Sequence, residues 1–355
     1  MSDNLTRALA AYVVSDVEVE PKVRREARRR ILDSIGVAFA ALDHPGPRAV
    51  RSYAATAFPE GGPATVWGSD RRVPVEVAAL VNGVAVRCLD YNDNYFSLGG
   101  GHPSDMIGGL LALAEVRNRS GAELLDAVVI GYEIGASYND SLNMRERGWD
   151  QTNMLGMAAW GGVVRLLGLN QAQAEDALGI TVVPRVGLGQ ARYGNVPMWK
   201  GFAGPDAVRF AVYAGLLAEA GVQGPFEPLE GKRGFLQALF DGVIANPEGL
   251  QGIFEMRPPS GILRGNMKAW PLGSVAQNAV SAAVEVHRRL EPGEEVRTVT
   301  IRTFDVSIEV MGSPEKYRPR TRETADHSLP YTVVAALRQG EINEESFSPD
   351  RYASE

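Results

Sequence analysis

The chain has 355 residues, a net charge of −7 and a single cysteine, Cys88. A negative net charge disfavours nucleic acid as a partner, because binding to phosphates needs a basic surface. One cysteine can form neither an internal disulfide nor a three- or four-cysteine iron–sulfur cluster, so we expect a protein of the reducing cytoplasm. The amino-terminal apolar run 8–14 is short, and no apolar stretch approaches the roughly 20 residues of a membrane span. We therefore predict no signal peptide and no membrane partner.

The histidines lie at positions 44, 102, 287 and 327, so neighbouring histidines are at least 40 positions apart. Zinc sites draw their ligands mainly from closely spaced cysteines and histidines. With one cysteine and scattered histidines, the sequence predicts no metal site and no cofactor. Any reaction is expected to depend on ordinary side chains.

Periodic apolar residues predict helices over most of the chain from Leu5 to about Phe240. Pro74 suits the first turn of one helix, and Ser104 suits the N-cap of the next. In chain order, the predicted helices are Lys22–Leu42, Val75–Leu89, Asp105–Arg117, Gly121–Ser137, Met154–Leu167, Gln171–Ile180, Pro205–Ala220 and Val275–Leu290. Many of them are rich in alanine and glycine, which lets helices approach one another closely.

The sequence pattern changes after Arg289. The run Glu295–Met311 is β-branched and partly alternating, which predicts a strand. A helix is predicted to begin near Ser328, and a polar, acidic tail follows from Glu341. We therefore predict a mainly α protein with a large all-helical domain, residues 1–265, and a smaller α/β (α+β) lid domain, residues 266–355. The lid is expected to be incomplete at its carboxyl end, because one strand and one helix do not bury a sheet.

The densest polar cluster comprises residues 89–95 and 99–105, between two apolar helices. Three glycines, at positions 99 to 101, allow close approach of a ligand to the backbone. His102 follows them and can reach Asp90 or Asp93, which makes it a candidate proton carrier. The alternative is a solvated loop in which the acids cap helices and His102 forms a local hydrogen bond.

Two further stretches carry basic side chains. Lys200 lies among apolar and small residues, where it is either a buried lysine that needs an anion or a surface lysine whose stem covers apolar neighbours. Arg192 has the same two interpretations. Arg264 and Lys268, which precede the predicted helix that contains Gln277, could hold carboxylates or belong to an ordinary polar loop.

The fourth stretch places an acid, a titratable base and a phenol within six residues, at Asp326, His327 and Tyr331. These groups could transfer protons. They could equally surround a helix start that is capped by Ser328, with a solvated histidine beside it.

Taken in order, these stretches resemble the MmgE/PrpD family, which contains 2-methylcitrate dehydratase and cis-aconitate decarboxylase. The resemblance is carried by LDYNDNYFSLGGGHPSDMIGGLLALAE, RERGWD, WKGFAGPDAVRFAVYAGLLAEAGVQGP, LEGKRGF, KAWPLGSVAQNAV and TRETADHSLPY. HPSD, the Ala276-Gln277 pair and TADHSLPY are similar to the 2-methylcitrate dehydratase branch. The resemblance implies a helical domain with a smaller α/β lid, a homodimer, and a small polycarboxylate as substrate.

The activity implied by the resemblance is a metal-independent hydro-lyase that dehydrates 2-methylcitrate to 2-methyl-aconitate. The alternatives are a decarboxylase or epimerase of a related polycarboxylate, and a non-catalytic binding or scaffold relative. The resemblance implies that Asp90, His102, Lys200 and Tyr331 match catalytic positions. We expect His102 to act as general base or acid, oriented by Asp90, and Lys200 to bind a carboxylate. Tyr331 or His327 would supply the second proton-transfer group. The expected substrate-binding residues are Asp93, Ser104, Arg192, Arg264, Lys268 and Gln277.

Overall fold

The structure, a computed structural model, describes residues 4–291 and 293–353. Of these residues 61% are helical and 3% lie in strands, which confirms the predicted mainly α class. The helices are α1 (Asn4–Val14), α2 (Pro21–Ala41), α3 (Pro45–Ala57), α4 (Val75–Arg87), α5 (Ile107–Val116), α6 (Gly121–Ser141), α7 (Thr152–Leu167), α8 (Gln171–Val182), α9 (Lys200–Glu219), α10 (Phe235–Phe240), α11 (Gln251–Phe254), α12 (Gln277–His287), α13 (Asp305–Met311), α14 (Arg322–Ala325), α15 (Leu329–Gln339) and α16 (Pro349–Tyr352). Within the described residues, no helix has the length and apolar character that crossing a membrane requires.

The chain divides into two compact units. The first comprises Met1–Cys88, Asn92–Gly189 and Gly201–Met267, and the second comprises Leu89–Tyr91, Gln190–Lys200 and Lys268–Glu355. Each unit has its own cluster of buried apolar side chains. The division into domains at residues 1–265 and 266–355 remains our proposal.

In the first unit the long helix α6 packs along α7 and also contacts α2 and α5. Ser120 and Glu123 form a capping box that fixes the start of α6. Two short antiparallel hairpins complete this unit: β1 (Ala64–Thr65) with β2 (Arg72–Val73), and β3 (Tyr95–Phe96) with β4 (Gly100–Gly101). The second hairpin is the glycine-rich loop of the sequence, and it ends directly before His102.

Two of the predicted helix starts are displaced in a way that changes the interpretation of Ser104 and Pro205. Residues 103–106 form a 3-10 turn and α5 begins at Ile107, so Ser104 is not its N-cap. The Ser104 hydroxyl instead accepts a hydrogen bond from the Asn92 amide at 2.8 Å. Helix α9 begins at Lys200, five residues before the predicted start, and Pro205 lies inside it. A proline there removes one backbone donor without ending the helix.

The second unit is built around α12 and α15, whose buried faces include Val280, Val284, Val333 and Ala336. The strand predicted over Glu295–Met311 is wrong. Residues 295–304 have no regular secondary structure, and the remainder forms α13. Residues 293–300 are exposed, and the second unit has no strand among its described residues that could pair with them. A single β-branched segment without a partner strand does not form a sheet.

Candidate active site

Five ionisable side chains of the second unit meet in what we call the buried charge cluster: Asp90, Lys200, Lys268, Asp326 and His327. The side chains of the two acids and the two lysines are completely buried, whereas that of His327 is 12% exposed. Charged groups are rarely buried unless they are paired. Each buried charge of the cluster is therefore stabilised by an opposite charge beside it.

Four of these residues lie at or near the end of a helix. Asp90 follows α4 with a φ of 52°, a left-handed conformation that aspartate tolerates better than most residues. Lys200 is the first residue of α9, and Asp326 ends α14. His327 directly precedes Ser328, whose hydroxyl caps α15 by accepting from the Tyr331 backbone N–H at 3.0 Å. The predicted cap at Ser328 is confirmed.

The ammonium group of Lys200 lies at the centre of the cluster. Its Nζ is 3.1 Å from Oδ2 of Asp90 and 3.0 Å from Oδ1 of Asp326. The same atom is 3.2 Å from Nδ1 of His327. Lys200 is separated from Asp90 by 110 positions and from Asp326 by 126, so only the tertiary fold brings them together. The interpretation of Lys200 as a surface lysine is wrong.

Lys268 holds Asp90 from the other side. Its Nζ donates to Oδ1 of Asp90 at 2.5 Å and to the Asp90 backbone carbonyl at 2.6 Å. The ammonium group of Lys268 therefore contacts both the main chain and the side chain of Asp90, whose backbone is left-handed. Asp90 is thus bound by two lysines, one at each carboxylate oxygen.

His327 lies between the two carboxylates. Its Nδ1 is 2.5 Å from Oδ1 of Asp326, and its Nε2 is 3.1 Å from Oδ2 of Asp90. Burial, followed by the positive charge of Lys200, lowers the pKa of His327 from 6.5 to about 4, and the two carboxylates only partly oppose this shift. The imidazole is therefore neutral at pH 7, so only one of its two nitrogens carries a proton.

The charges of the cluster balance when His327 is neutral, since two carboxylates face two ammonium groups. Burial tends to raise the pKa of Asp326, but Lys200, His327 and Arg322 outweigh it and hold that pKa below its ordinary value. Asp326 is thus kept ionised by neighbouring cations rather than by water. A buried carboxylate without such partners would take up a proton instead.

Asp90, Asp326 and His327 also have the donor atoms of a metal site, all within 4.8 Å of one another. Histidine spacing gave no sign of this group, because two of its ligands are acids and one is distant in the sequence. However, the Lys200 ammonium lies within about 3.3 Å of a donor atom of all three residues. A divalent cation at this position would be repelled by one or two neighbouring ammonium groups. The lysines already supply the positive charge that a metal would bring.

A separate polar group in the first unit contains His102, Asp93 and Ser104. Nδ1 of His102 is 2.7 Å from the Asp93 backbone carbonyl. The Asp93 carboxylate accepts from the Ser104 backbone N–H at 3.1 Å and from the Tyr132 hydroxyl at 2.7 Å. These contacts orient His102 and bury Asp93. Since His102 and Asp90 belong to different units, their predicted pairing remains a prediction.

The other predicted site residues have local partners. Arg264, in the first unit, pairs with Asp140 at 2.5 Å and lies 5.3 Å from the centre of the Tyr95 ring. In the second unit, the Gln277 amide holds the backbone of residues 269–272 through four hydrogen bonds. The Tyr331 hydroxyl donates to the Ser346 carbonyl, and burial raises the pKa of this phenol. Arg192 is half-buried in the second unit. Their roles in substrate binding and catalysis remain predictions.

The sequence pattern drew attention to Asp326 only as part of a polar stretch, and not to Arg322, which forms an ion pair with it. The spacing held the signal, because residues four positions apart on a helix face each other, and an arginine and an acid at that spacing attract. The structure places Nη1 of Arg322 2.9 Å from Oδ2 of Asp326.

Comparisons with known proteins were consistent along the chain. The MmgE/PrpD N-terminal domain matches residues 4–247, and the MmgE/PrpD C-terminal domain matches residues 270–355. The 2-methylcitrate dehydratase of Cupriavidus necator is 27% identical over 351 residues, which cover 93% of this chain and 70% of that protein. The mitochondrial 2-methylcitrate dehydratase of Yarrowia lipolytica is 26% identical over 386 residues, covering all of this chain and 70% of that protein. The cis-aconitate decarboxylase of Mus musculus is 27% identical over 343 residues, covering 91% and 67%.

Proposed function

This chain belongs to the MmgE/PrpD family, and we propose that it is a metal-independent hydro-lyase that dehydrates 2-methylcitrate to 2-methyl-aconitate. Relatives named for that reaction are similar over 93% to 100% of the chain. The observation that carries the proposal is the buried charge cluster. It combines a neutral, partly exposed imidazole with two lysine ammonium groups, which are the groups that this elimination needs.

The reaction removes a proton and a hydroxyl group from neighbouring carbons. A base takes the proton from the carbon next to a carboxylate, and the electrons of that C–H bond form the new double bond. The C–O bond breaks, and the leaving hydroxide takes a proton from an acid and departs as water. Negative charge builds on the adjacent carboxylate, so nearby cations lower the barrier.

His327 is the proposed base. Its low pKa keeps the nitrogen lone pair available at pH 7, and its edge is exposed while the four other side chains of the cluster are fully buried. A base with a pKa near 4 is weak. The carboxylates of a bound polycarboxylate would add negative charge beside it and raise its pKa toward neutrality.

Lys200 is the proposed electrostatic stabiliser. Its ammonium group is 3.2 Å from Nδ1 of the imidazole and 3.1 Å from Oδ2 of Asp90, the oxygen that lies 3.1 Å from Nε2. Lys268 orients Asp90 through its two contacts, and the negative charge of Asp90, 3.1 Å from Nε2, would stabilise the imidazolium that forms. With His327 as the base, His102, which the sequence predicts as general base or acid, and Tyr331 are the candidates for the second proton-transfer group. Arg192, Arg264, Asp93, Ser104 and Gln277 remain predicted contributors to substrate binding.

The test is to incubate the protein with 2-methylcitrate, citrate and cis-aconitate, and to follow both the absorbance of the conjugated enoate and the release of carbon dioxide. We expect enoate formation from 2-methylcitrate without carbon dioxide. The matched variants are His327→Asn, which should abolish turnover, and His287→Asn, which also removes a half-buried imidazole from the second unit and should leave turnover within a few-fold.

Release of carbon dioxide from cis-aconitate, without enoate from 2-methylcitrate, would replace the dehydratase by a decarboxylase. The similarity to the mouse cis-aconitate decarboxylase makes this the second candidate. No turnover of any of the three compounds would favour a non-catalytic relative. We further propose a homodimer of the cytoplasm, which sedimentation and fractionation would test.

A further inference from the structure

We propose that Arg322 and Glu344 are positioning residues that hold Asp326 in the orientation which keeps a proton on Nδ1 of His327 and leaves Nε2 as the proton acceptor. This inference deepens the proposed function, because it names the groups that prepare the base. Its principal readout does not require turnover.

Arg322 connects the buried charge cluster to the outside of the second unit. Its Nη1 is 2.9 Å from Oδ2 of Asp326, and its Nη2 is 3.0 Å and 3.1 Å from the two carboxylate oxygens of Glu344. The guanidinium carbon lies 5.7 Å from the centre of the Phe347 ring. The side chains of Arg322 and Glu344 are 14% and 32% exposed. A planar fork held by two acids and an aromatic ring has little freedom to turn.

The two oxygens of Asp326 have different tasks as a result. Oδ2 receives Arg322, with the Lys200 ammonium 3.3 Å away. Oδ1 faces Nδ1 of His327 at 2.5 Å and Lys200 at 3.0 Å. If Arg322 did not hold Oδ2, the carboxylate could rotate about its bond to Cβ and lose the alignment of Oδ1 with the ring.

The contact between Nδ1 and Oδ1 decides which nitrogen has the proton. A nitrogen and a carboxylate oxygen at 2.5 Å repel unless a hydrogen lies between them. The neutral imidazole has one N–H. Nδ1 also lies 3.2 Å from the Lys200 ammonium, which could donate to it, but the carboxylate contact is the shorter of the two, so the hydrogen sits on Nδ1 and Nε2 has the lone pair. When Nε2 takes a proton from substrate, the positive charge that forms lies beside Oδ2 of Asp90, which is 3.1 Å away. A carboxylate that fixes a tautomer in this way is a general device in acid–base catalysis.

The charged groups around His327 set the direction of the expected shifts. Asp90, Asp326 and Lys200 face the ring directly, while Lys268 and Arg322 bind the carboxylates from behind. Arg322 adds positive charge and therefore disfavours the imidazolium. Glu344 offsets part of that charge. Removing Arg322 should raise the pKa of His327, and removing the charge of Glu344 should not raise it.

The experiment is a pH titration of the imidazole nitrogens by NMR, on protein labelled with ¹⁵N-histidine and without substrate. Loss of one signal set in His327→Asn assigns His327. We expect the wild-type signals to show a proton on Nδ1. In Arg322→Gln the pKa should rise by about one unit, the scale of one charge removed from a buried neighbourhood, and the other tautomer should become populated.

Arg322→Lys keeps the positive charge but loses the planar guanidinium. The pKa of His327 in this variant should therefore be close to the wild-type value, while the second tautomer should still be populated. Arg338→Gln, an exposed arginine of α15 in the same unit, is the matched control and should change neither. If Arg322→Gln does not fold, Glu344→Gln replaces it, because that side chain is a third exposed. It should populate the second tautomer without raising the pKa.

Unchanged tautomer and pKa in Arg322→Gln, or a wild-type ring with its proton on Nε2, would overturn the inference. So would a variant that loses thermal stability and nothing else. For an active enzyme, Arg322→Gln should lower kcat at nearly constant KM and move the acid limb of the kcat profile. The NMR result stands or fails whether or not the substrate is 2-methylcitrate, so failure of the two proposals can be told apart.

Discussion

Lys200 places an ammonium group in a completely buried position between two carboxylates and an imidazole. Such a group is costly to bury, and it persists because each of its neighbours needs the charge. The burial is settled by the fold, whereas the contribution to catalysis is a prediction.

We expect Lys200→Met to lower kcat and kcat/KM together by at least about 100-fold, because the side chain keeps its length and loses the charge that would stabilise the transition state. Steady-state kinetics measure the effect, and Lys232→Met, an exposed lysine of the first unit, is the control. The variant should also be less stable, since Asp90 and Asp326 lose a shared counterion. Near-native rates would mean that Lys200 has a structural role alone.

Asp90 and His327 should behave as one unit. Their 3.1 Å contact predicts that Asp90→Asn and His327→Asn each reduce kcat/KM strongly and that the double variant is little worse than the more damaged single variant. The same cycle with His102→Asn tests the earlier prediction that His102 and Asp90 act together. Additive effects below tenfold in that second cycle would give His102 a local role beside Asp93.

The raised pKa of Asp33, in α2 of the first unit, leads us to expect that the stability of the fold depends on pH. Burial, and next the negative charge of Asp93, raises the pKa of Asp33 to about 6. Between pH 4 and 6 the folded state therefore binds the proton more tightly than the unfolded state, and stability is lost as the pH rises through this window. Asp33→Asn avoids that loss.

Chemical denaturation should find Asp33→Asn stabilised relative to wild type at pH 8, with the difference disappearing near pH 4. Asp43→Asn, at an exposed position, should show no such trend. A wild-type protein that gains stability at pH 8 relative to the variant would contradict the raised pKa.

At the scale of elements, helices α4 and α5 approach each other at two glycines. A Cβ added at Gly108 would lie 2.8 Å from the backbone nitrogen of Gly83 and 2.9 Å from the backbone carbonyl carbon of Asn82. Backbone atoms cannot move aside as a flexible side chain can. This crossing explains why the alanine- and glycine-rich composition of these helices matters.

Gly108→Ala should therefore reduce the free energy of unfolding by about 1 to 3 kcal/mol, the usual cost of overpacking. Gly121→Ala is the matched control, because a Cβ at Gly121, also in a helix, meets no atom within 4 Å. That change should be neutral or slightly stabilising. Equal effects of the two substitutions on thermal unfolding would show that α4 and α5 can separate at little cost.

The segment 295–311 shows a limit of local patterns at the same scale. Its β-branched residues favour extended backbone, yet a strand also needs a partner for its hydrogen bonds. In α13 the buried residues Ser307 and Met311 are four positions apart, as one face of a helix requires. The neighbouring core, and not the intrinsic preference of the residues, decided that element.

At the scale of the whole molecule, the positive charges of the buried charge cluster predict that activity does not depend on a metal. Lys200 and Lys268 already neutralise both acids. Turnover should thus survive exhaustive chelation by EDTA, measured with the enoate assay after dialysis. Loss of turnover that one divalent cation restores would show instead that Asp90, Asp326 and His327 bind a metal.

The sequence by itself determined the mainly α class, the positions of most helices, the family, and the separate stretches that contain Asp90, Lys200, Lys268 and His327. These properties follow from helical periodicity and from motifs, which are local. Only the tertiary structure decided which charged groups meet, since Asp90 and Lys268 are 178 positions apart. It also showed the hydrogen bonds or ion pairs of Tyr331, Gln277 and Arg264 with neighbouring groups, and the ion pair of Arg322 with Asp326. The physical reason is that the state of a buried charge depends on which other charges and dipoles the folded chain packs around it, and no local pattern specifies those neighbours.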